Sequence, residues 1–221
     1  MHHVSQTVHS ESMLRSREGF YMQFGKRLLD IMLVLMIAPM LLPVIAALAV
    51  LARRDGGKAF FGHKRVGQNG ASFRCWKIRS MVPDAEARLR AYLDANPAAA
   101  EEWARDHKLT NDPRITPFGD FIRKTSLDEL PQIFNVLKGE MTFVGPRPII
   151  EDELAKYGNK KQHYLAQKPG ITGLWQVSGR NDLSYDERVN LDVAYLSQRS
   201  LLVDANIMMR TAWAVLGKTG R

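Results

Sequence analysis

The longest apolar stretch of the chain runs from Ile31 to Leu51 and contains 21 consecutive residues without a charge. A run of about 18 or more such residues is typical of a membrane segment. The run begins after 30 mostly polar residues, which argues against a secretory signal peptide. The pattern therefore predicts a membrane-attached protein.

The path of this segment through the bilayer is left open by its own residues. Pro39 and Pro43 each remove a helical hydrogen bond and favour a kink. Basic pairs flank both ends, at 26–27 and at 53–54, whereas a spanning helix is oriented by asymmetry between its flanks. Equal flanks favour a segment that returns to the same leaflet. A spanning helix with a tolerated proline kink is an equally good interpretation.

Short alternating runs after the membrane segment predict a β-hairpin. Phe60–Arg65 and Ser72–Ile78 flank Asn69-Gly70, and Asn-Gly is a strong hairpin signal. Residues 1–22 carry few apolar positions and are predicted to form a loose tail.

Helical patterns dominate the rest of the chain. Asp84–Asn96 and Pro97–His107 are predicted helices, the second with proline at its first position. Asn111–Gly119 is predicted to be a loop because it is rich in Asp, Pro and Gly. The last predicted helix, about Asp204–Leu216, is too short to span a bilayer, and it is either interfacial or part of the core. The fold class is therefore α+β and mainly helical.

Composition narrows the partners without choosing among them. The formal net charge of +8 points to an anionic partner, which could be nucleic acid, acidic lipid or a phosphorylated substrate. Cys75 is the only cysteine, so there is no internal disulfide and no Cys-based zinc site. Its place between Arg74 and Trp76 is typical of a strand residue and not of a nucleophile.

The stretch from Phe121 to Gln132 carries the candidate chemistry. Pro131 fits only the first turn of a helix, so the helix is predicted to begin near Asp128 as N-cap and to end at Gly139. The helix dipole would favour an ionised Asp128, and such a carboxylate can attack phosphorus to form an acyl phosphate. Glu129 could handle protons or help to hold a metal, since two carboxylates suit Mg²⁺. Asp followed by Glu is, however, also common at the start of helices that have no catalytic role.

Arginines held in rigid stretches of backbone favour the interpretation of this region as a phosphate-binding site. Arg123 lies just upstream, Arg147 stands between Pro146 and Pro148, and Arg180 follows Gly179. A guanidinium held by a stiff backbone suits bidentate phosphate binding. Each of these arginines could equally form a surface salt bridge.

The ordered motifs of the chain resemble those of the bacterial sugar transferase family, the monotopic polyprenyl-phosphate phosphoglycosyl transferases. The match runs from about Lys26 to Gly217 and rests on long motifs: Lys26-Arg-Leu-Leu-Asp30, Arg65-Val-Gly-Gln-Asn-Gly70, Lys77-Ile-Arg-Ser-Met81, Asp112-Pro-Arg-Ile-Thr-Pro-Phe-Gly119, Thr125-Ser-Leu-Asp-Glu-Leu-Pro-Gln132, Val144-Gly-Pro-Arg-Pro148 and Lys168-Pro-Gly-Ile-Thr-Gly-Leu-Trp-Gln176. The resemblance implies the minimal form, without the upstream membrane helices of larger members.

The resemblance also implies an architecture. A membrane helix hairpin re-enters the same leaflet and breaks at a Ser-Pro pair, which is Ala38-Pro39 in this chain. Residues 23–54 would form this re-entrant segment, and 55–221 a small cytosolic catalytic domain with interfacial helices. The enzyme would sit on the cytoplasmic face of the bacterial inner membrane.

The implied reaction moves a sugar 1-phosphate from a UDP-sugar to undecaprenyl phosphate, releases UMP, and begins exopolysaccharide or glycan synthesis. Asp128 is the implied nucleophile and a metal ligand, Glu129 is its partner in the acidic pair, and Mg²⁺ is the implied cofactor. Arg123, Arg147 and Arg180 match phosphate-binding positions, with Lys77 and Arg79 in the same region. The sugar is expected to be a hexose such as galactose or glucose.

Two other functions are compatible with single features of the chain. A membrane-tethered basic module without catalysis would explain the charge, but the basic residues lack the aromatic interleaving of a nucleic-acid platform. A membrane phosphatase could use the same acyl-phosphate chemistry and would release inorganic phosphate instead of UMP.

Overall fold

The computed structural model describes residues 20–106, 108–179 and 182–216, and this part of the chain is mainly helical with two small two-stranded sheets. Most of the predicted tail lies outside these ranges. The α-helices are α1 (Lys26–Ala52), α2 (Ala85–Ala95), α3 (Pro97–Asp106), α4 (Pro117–Lys124), α5 (Gln132–Lys138), α6 (Glu151–Ala155), α7 (Lys161–Leu165), α8 (Leu174–Ser178), α9 (Tyr185–Gln198) and α10 (Leu201–Leu216). The strands are β1 (Phe60–Val66), β2 (Ser72–Ile78), β3 (Thr142–Val144) and β4 (Gly170–Thr172).

The apolar run forms one continuous helix. A π-helical turn, Tyr21–Gly25, leads directly into α1, which continues through Pro39 and Pro43. Within the described residues it is the one helix long and apolar enough to cross a membrane, and only 17% of its most apolar window is buried. A core helix of a soluble protein would be mostly covered, so this helix is not one. The break expected at Ala38-Pro39 is not seen in its secondary structure.

One face of α1 packs on the rest of the protein along its whole length. Its buried side chains recur at helical spacing: Asp30, Val34, Ile45, Leu48 and Ala52. The last three pack against Ile78 of β2 and Ile133 of α5, and Val34 packs with Cys75, Val136 and Met141. Because residues three and four apart share a helix face, this spacing leaves the opposite face apolar and uncovered.

Both ends of α1 are bonded to the same domain. At the start, Lys26 pairs with Asp204, and Arg27 donates to the carbonyls of Val136 at 2.5 Å and Leu137 at 2.8 Å. At the end, the Arg79 guanidinium donates to the carbonyl of Ala52 at 2.5 Å. The helix thus lies against the domain and does not project from it.

The predicted hairpin is confirmed. β1 and β2 pair antiparallel, with Phe60 opposite Ile78 and His63 opposite Cys75. Asn69 and Gly70 take positive φ values of 57° and 78° in the connection, a conformation that these two residue types tolerate best. The Asn135 side chain bonds the outer edge of β2, accepting from the Trp76 amide at 3.0 Å and donating to the Arg74 carbonyl at 2.7 Å. These bonds fix α5 beside the hairpin.

The two helices predicted between 84 and 107 are confirmed as α2 and α3, with Pro97 at the first position of α3; His107 lies outside the described residues. The loop predicted to reach Gly119 is wrong in its last part. Helix α4 already begins at Pro117, and the Thr116 hydroxyl caps it by accepting from the Gly119 amide at 2.8 Å. Thr before Pro is itself a helix-start signal.

The prediction that Asp128 caps a helix is also wrong. Asp128 lies in a 3₁₀ turn, Leu127–Glu129, and α5 begins only at Gln132 with Pro131 in the N-cap position. Pro131 therefore precedes the helix, where its missing N–H costs nothing. The predicted end is confirmed, since Gly139 takes a φ of 82° as the C-terminal cap.

The last helix starts earlier than predicted and has two apolar faces. Helix α10 buries Ile207 and Asp204 against the domain. Its other side exposes Leu202, Met209 and Trp213, with 81%, 60% and 78% of each residue accessible. Exposed large apolar side chains aligned at helical spacing are typical of a helix that contacts a membrane interface.

Candidate active site

The acidic pair sits in the turn between α4 and α5. Ser126, with a φ of 56°, reverses the chain after α4 and directs the 3₁₀ turn back toward β2. Leu127 and Leu130 pack into the cluster formed by α1, β2 and α5. Those contacts bury Asp128, of which 7% is exposed, while Glu129 remains partly accessible.

Lys77 on β2 joins the two carboxylates. Its ammonium lies 2.6 Å from Glu129 Oε1 and 3.6 Å from Asp128 Oδ2. Burial alone would lower the pKa of Lys77, but the charges of Glu129 and Asp128 outweigh burial and raise it. Lys77 is therefore protonated and holds positive charge between the two acids.

Burial is the main influence on Asp128. Desolvation raises the pKa of this carboxyl above its ordinary value, Glu129 raises it further, and Lys77 and Arg123 oppose the rise. The expectation that a helix dipole would lower this pKa is wrong, because no helix begins at Asp128.

Two further arginines, Arg123 and Arg147, have different electrostatic partners in this region. Arg123 at the end of α4 is exposed and interacts electrostatically with Asp128. Arg147, also exposed, interacts electrostatically with Arg65. The charges of Arg147, Arg65, Lys77 and Glu129 all act on Cys75. Cys75 itself is buried on β2, and burial raises the pKa of its thiol to about 11, so it is a neutral strand residue as predicted. Arg123 thus lies near Asp128, whereas Arg147 lies near Arg65 and Cys75 of the hairpin.

Arg79 has a different environment from the one expected. Its guanidinium donates to the Lys58 and Met81 carbonyls at 2.6 Å, to Ala52, and to both carboxylate oxygens of Asp55. This pairing lowers the pKa of Asp55 to about 2. These bonds hold the end of α1 and the following loop against β2. Arg180 lies outside the described residues.

Arg65 was missed by the sequence reasoning. Side chains of directly paired strand residues share a face, so Arg65, His63 and Phe61 lie on the same face as Cys75 and Lys77. Arg65 is half-buried and contacts Glu153 at 3.5 Å. Alternation along β1 was the signal that could have placed it on the functional face. Ser126 offered no comparable signal, since its left-handed backbone is unusual for serine.

The acidic pair can hold a divalent cation such as Mg²⁺ only when water or a bound phosphate supplies the remaining oxygen ligands. Among the described residues no group of three or more His, Cys, Asp or Glu side chains forms a metal cage. Mg²⁺ typically takes one or two carboxylates and completes its shell with water and phosphate oxygens. Asp128 and Glu129, which already converge on one cation, fit that requirement.

Comparison with known proteins defines the class. The family model described as bacterial sugar transferase matches residues 21–218. The chain therefore belongs to the bacterial sugar transferase family.

Individual relatives carry more specific names. The chain is 52% identical over 198 residues to an undecaprenyl-phosphate galactose phosphotransferase of Salmonella typhimurium, covering 90% of this chain and 42% of that protein. It is 46% identical to the exopolysaccharide production protein ExoY of Sinorhizobium fredii, covering 86% of this chain and 85% of ExoY. A UDP-glucose:undecaprenyl-phosphate glucose-1-phosphate transferase of Xanthomonas campestris is 37% identical, with 40% of its length covered. The chain thus spans about two fifths of the length of several relatives.

Proposed function

We propose that this protein transfers a sugar 1-phosphate from a UDP-sugar to undecaprenyl phosphate, with release of UMP, as the first membrane step of exopolysaccharide or glycan synthesis. The observation that carries the proposal is the Asp128–Lys77–Glu129 cluster: a buried carboxylate beside a second acid, both within 3.6 Å of one ammonium. Membership of the sugar transferase family and the names of its relatives support the same reaction.

The first chemical step assigns Asp128 as nucleophile. One carboxylate oxygen attacks the sugar-linked phosphorus of the UDP-sugar, the bond to the bridging oxygen breaks, and UMP leaves with that electron pair. The product is an acyl phosphate that joins Asp128 to the sugar. Burial suits this role because a poorly solvated carboxylate is more reactive, provided that it is ionised; Lys77 and Arg123 favour that form.

The second step regenerates the enzyme. An oxygen of the lipid phosphate attacks the same phosphorus, the bond to Asp128 breaks, and the carboxylate is restored as the lipid diphosphate sugar departs. Glu129 takes the proton of the lipid phosphate where that group carries one. Arg123 and Arg147 hold the phosphate oxygens, and Arg180 is assigned the same role from the resemblance alone.

Asp128, with Glu129 beside it, would hold Mg²⁺, which when bound offsets negative charge on the diphosphate. Lys77 supplies protein-borne positive charge at the same place. Arg79, whose donors are occupied by Asp55 and backbone carbonyls, acts by holding β2 in position and not by binding phosphate.

The membrane arrangement follows from the way α1 packs. Contacts with one domain at both Lys26 and Ala52 argue against a helix that crosses the bilayer, because crossing would carry one end about 30 Å away. We propose that the exposed face of α1 enters the cytoplasmic leaflet of the inner membrane, that the prolines allow it to bend there, and that α10 lies in the interface. The site then faces the headgroup of a lipid acceptor.

The sugar is proposed to be galactose, with glucose as the second choice. The galactose-named relatives are 50–52% identical and the glucose-named one 37% identical. Release of UMP from a panel of UDP-sugars, with undecaprenyl phosphate and Mg²⁺ present, decides between them.

The covalent step is tested with Asp128→Asn. We expect turnover to fall roughly 1,000-fold or more, because an amide cannot attack phosphorus. Wild-type protein incubated with the UDP-sugar alone should gain the mass of one hexose phosphate on the peptide that contains Asp128, and the variant should gain none.

Asp120→Asn is the matched control, since Asp120 is an exposed carboxylate on α4 that pairs with Lys124. It should keep both turnover and covalent labelling. Near-normal turnover by Asp128→Asn would eliminate the aspartyl intermediate, and release of inorganic phosphate in place of UMP would identify a phosphatase.

A further inference from the structure

A second concave surface lies beside the hairpin, and neither member of the acidic pair lines it. It is a groove of about 870 Å³ between the second half of α1, the loop after it, and the aromatic side chains of Phe60, Trp76 and Phe134. Successive side chains of a strand point to opposite faces, so Trp76 faces away from Cys75 and Lys77. The groove is therefore separate from the proposed catalytic centre.

The floor of the groove is apolar and belongs to the membrane helix. Leu42, Ala46, Ala49 and Val50 line it from α1. From Leu42 to Arg53 the helix rises about 16 Å. The groove therefore offers an apolar channel of about that length along α1.

Two cations mark one end of the groove. Arg53 and Lys58 both line it and are exposed. Across the described ranges, neither the Arg53 guanidinium nor the Lys58 ammonium has an ion-pair partner. An apolar channel along α1 with exposed positive charge at one end complements an anionic amphiphile.

The cationic end is held rigidly. Arg79 donates to the carbonyl of Ala52, which precedes Arg53, and to the carbonyl of Lys58 itself. It also donates to the carboxylate of Asp55, which lies between them in the chain. Gly57 lies so close that a Cβ there would be 2.7 Å from the Arg79 guanidinium. The loop that presents the two cations is thus set before any ligand binds, which lowers the cost of binding.

We infer that this groove binds an acidic phospholipid of the bilayer, with an acyl chain along α1 and the phosphate between Arg53 and Lys58. The lipid acceptor is a poorer occupant, since none of Asp128, Glu129 and Lys77 lines this groove. The inference needs α1 to contact the bilayer, but it does not depend on the proposed reaction.

Tryptophan fluorescence tests this directly, because Trp76 lines the groove. The full chain carrying Trp213→Phe, which removes the exposed tryptophan of α10, is reconstituted into phosphatidylcholine vesicles. Brominated phosphatidylglycerol should reach half-maximal quenching at a mole fraction at least about fivefold lower than brominated phosphatidylcholine. Trp76→Phe should remove this component, which identifies the reporter.

Matched charge variants assign the preference to the groove. Arg53→Gln with Lys58→Gln should bring the two lipids within about twofold of each other, whereas Arg53→Lys and Arg54→Gln should keep the preference. These side chains are exposed and have no ion-pair partner within the described part of the chain, so the variants should fold normally.

Three results would overturn the inference. Equal quenching by both lipids would indicate contact with bulk lipid, and loss of the preference in Arg54→Gln would indicate an effect of diffuse charge. Displacement of the brominated lipid by polyprenyl phosphate at a lower mole fraction than by phosphatidylglycerol would assign the groove to the acceptor. UMP release is measured separately, so failure of the proposed reaction leaves this test intact.

Discussion

Asp128 and Lys77 show how much a residue depends on its surroundings. An aspartate in a turn would ordinarily be ionised well below neutral pH. Here burial raises the pKa of Asp128 and two cations restrain the rise. The reactivity of the site is thus set by the balance between desolvation and the positive charge of neighbouring residues.

Lys77→Met tests that balance. Without the ammonium, the pKa of Asp128 should rise further, so the acid limb of the kcat/KM profile should move to higher pH. A carboxylate with a raised pKa loses its ionised form as pH falls, hence the loss of activity relative to wild type should be roughly tenfold greater at pH 6 than at pH 8.5. The measurement is UMP release across that range.

Lys124→Met is the control for this experiment, because Lys124 is exposed and pairs with Asp120 on the outer side of α4. Its acid limb should coincide with that of wild type. A Lys77→Met limb that does not move, or that moves to lower pH, would show that Lys77 does not govern ionisation of the nucleophile.

At the scale of elements, the junction between α1 and β2 depends on one guanidinium. Arg79 donates to the carbonyl of Ala52, the last residue of α1, and so ties the end of this helix to the segment after β2. Two nitrogens of its planar guanidinium also bond the carboxylate of Asp55 in the loop. Lysine carries the same charge but one nitrogen, so it cannot replace these bonds.

Arg79→Lys should therefore lower the free energy of unfolding by about 1–3 kcal/mol, since backbone carbonyls lose their donors. Thermal unfolding in detergent measures the change, with Arg54→Lys expected to match wild type. Unchanged stability in Arg79→Lys, together with a raised KM for the UDP-sugar, would instead return Arg79 to the phosphate-binding role suggested by the resemblance.

For the whole molecule, the decisive feature is that a long, largely exposed apolar helix is anchored at both ends to one domain. Exposed apolar side chains on α1 and α10 leave a broad uncovered surface, and the Tyr21 hydroxyl, bonded to Asp204 at 2.6 Å, ties the starts of these helices together. This arrangement predicts that both ends of α1 lie on the same side of the bilayer.

Single cysteines at Phe20 and Arg54 test this topology, because the native Cys75 is buried. Both should react with a membrane-impermeant maleimide in inverted inner-membrane vesicles and neither in intact spheroplasts. Labelling of one position from each side would establish a spanning helix and rule out the monotopic arrangement.

The sequence by itself determined the features that depend on neighbouring residues. Twenty-one uncharged residues specify a long apolar helix, Asn69-Gly70 a hairpin, Pro97 a helix start and Gly139 a helix end, since each follows from local backbone energetics or from hydrophobicity. The acidic pair was recognised because its motif is continuous in the chain.

Only the tertiary structure decided what those residues experience. Packing of Leu127 and Leu130 buries Asp128 and reverses the expected direction of its pKa shift, and strand pairing brings Lys77 and Arg65 onto one face. Arg79 has a structural set of partners because Ala52 and Asp55 fold back onto β2. Charge, solvation and hydrogen bonding depend on distances between segments remote in sequence, which no local pattern specifies.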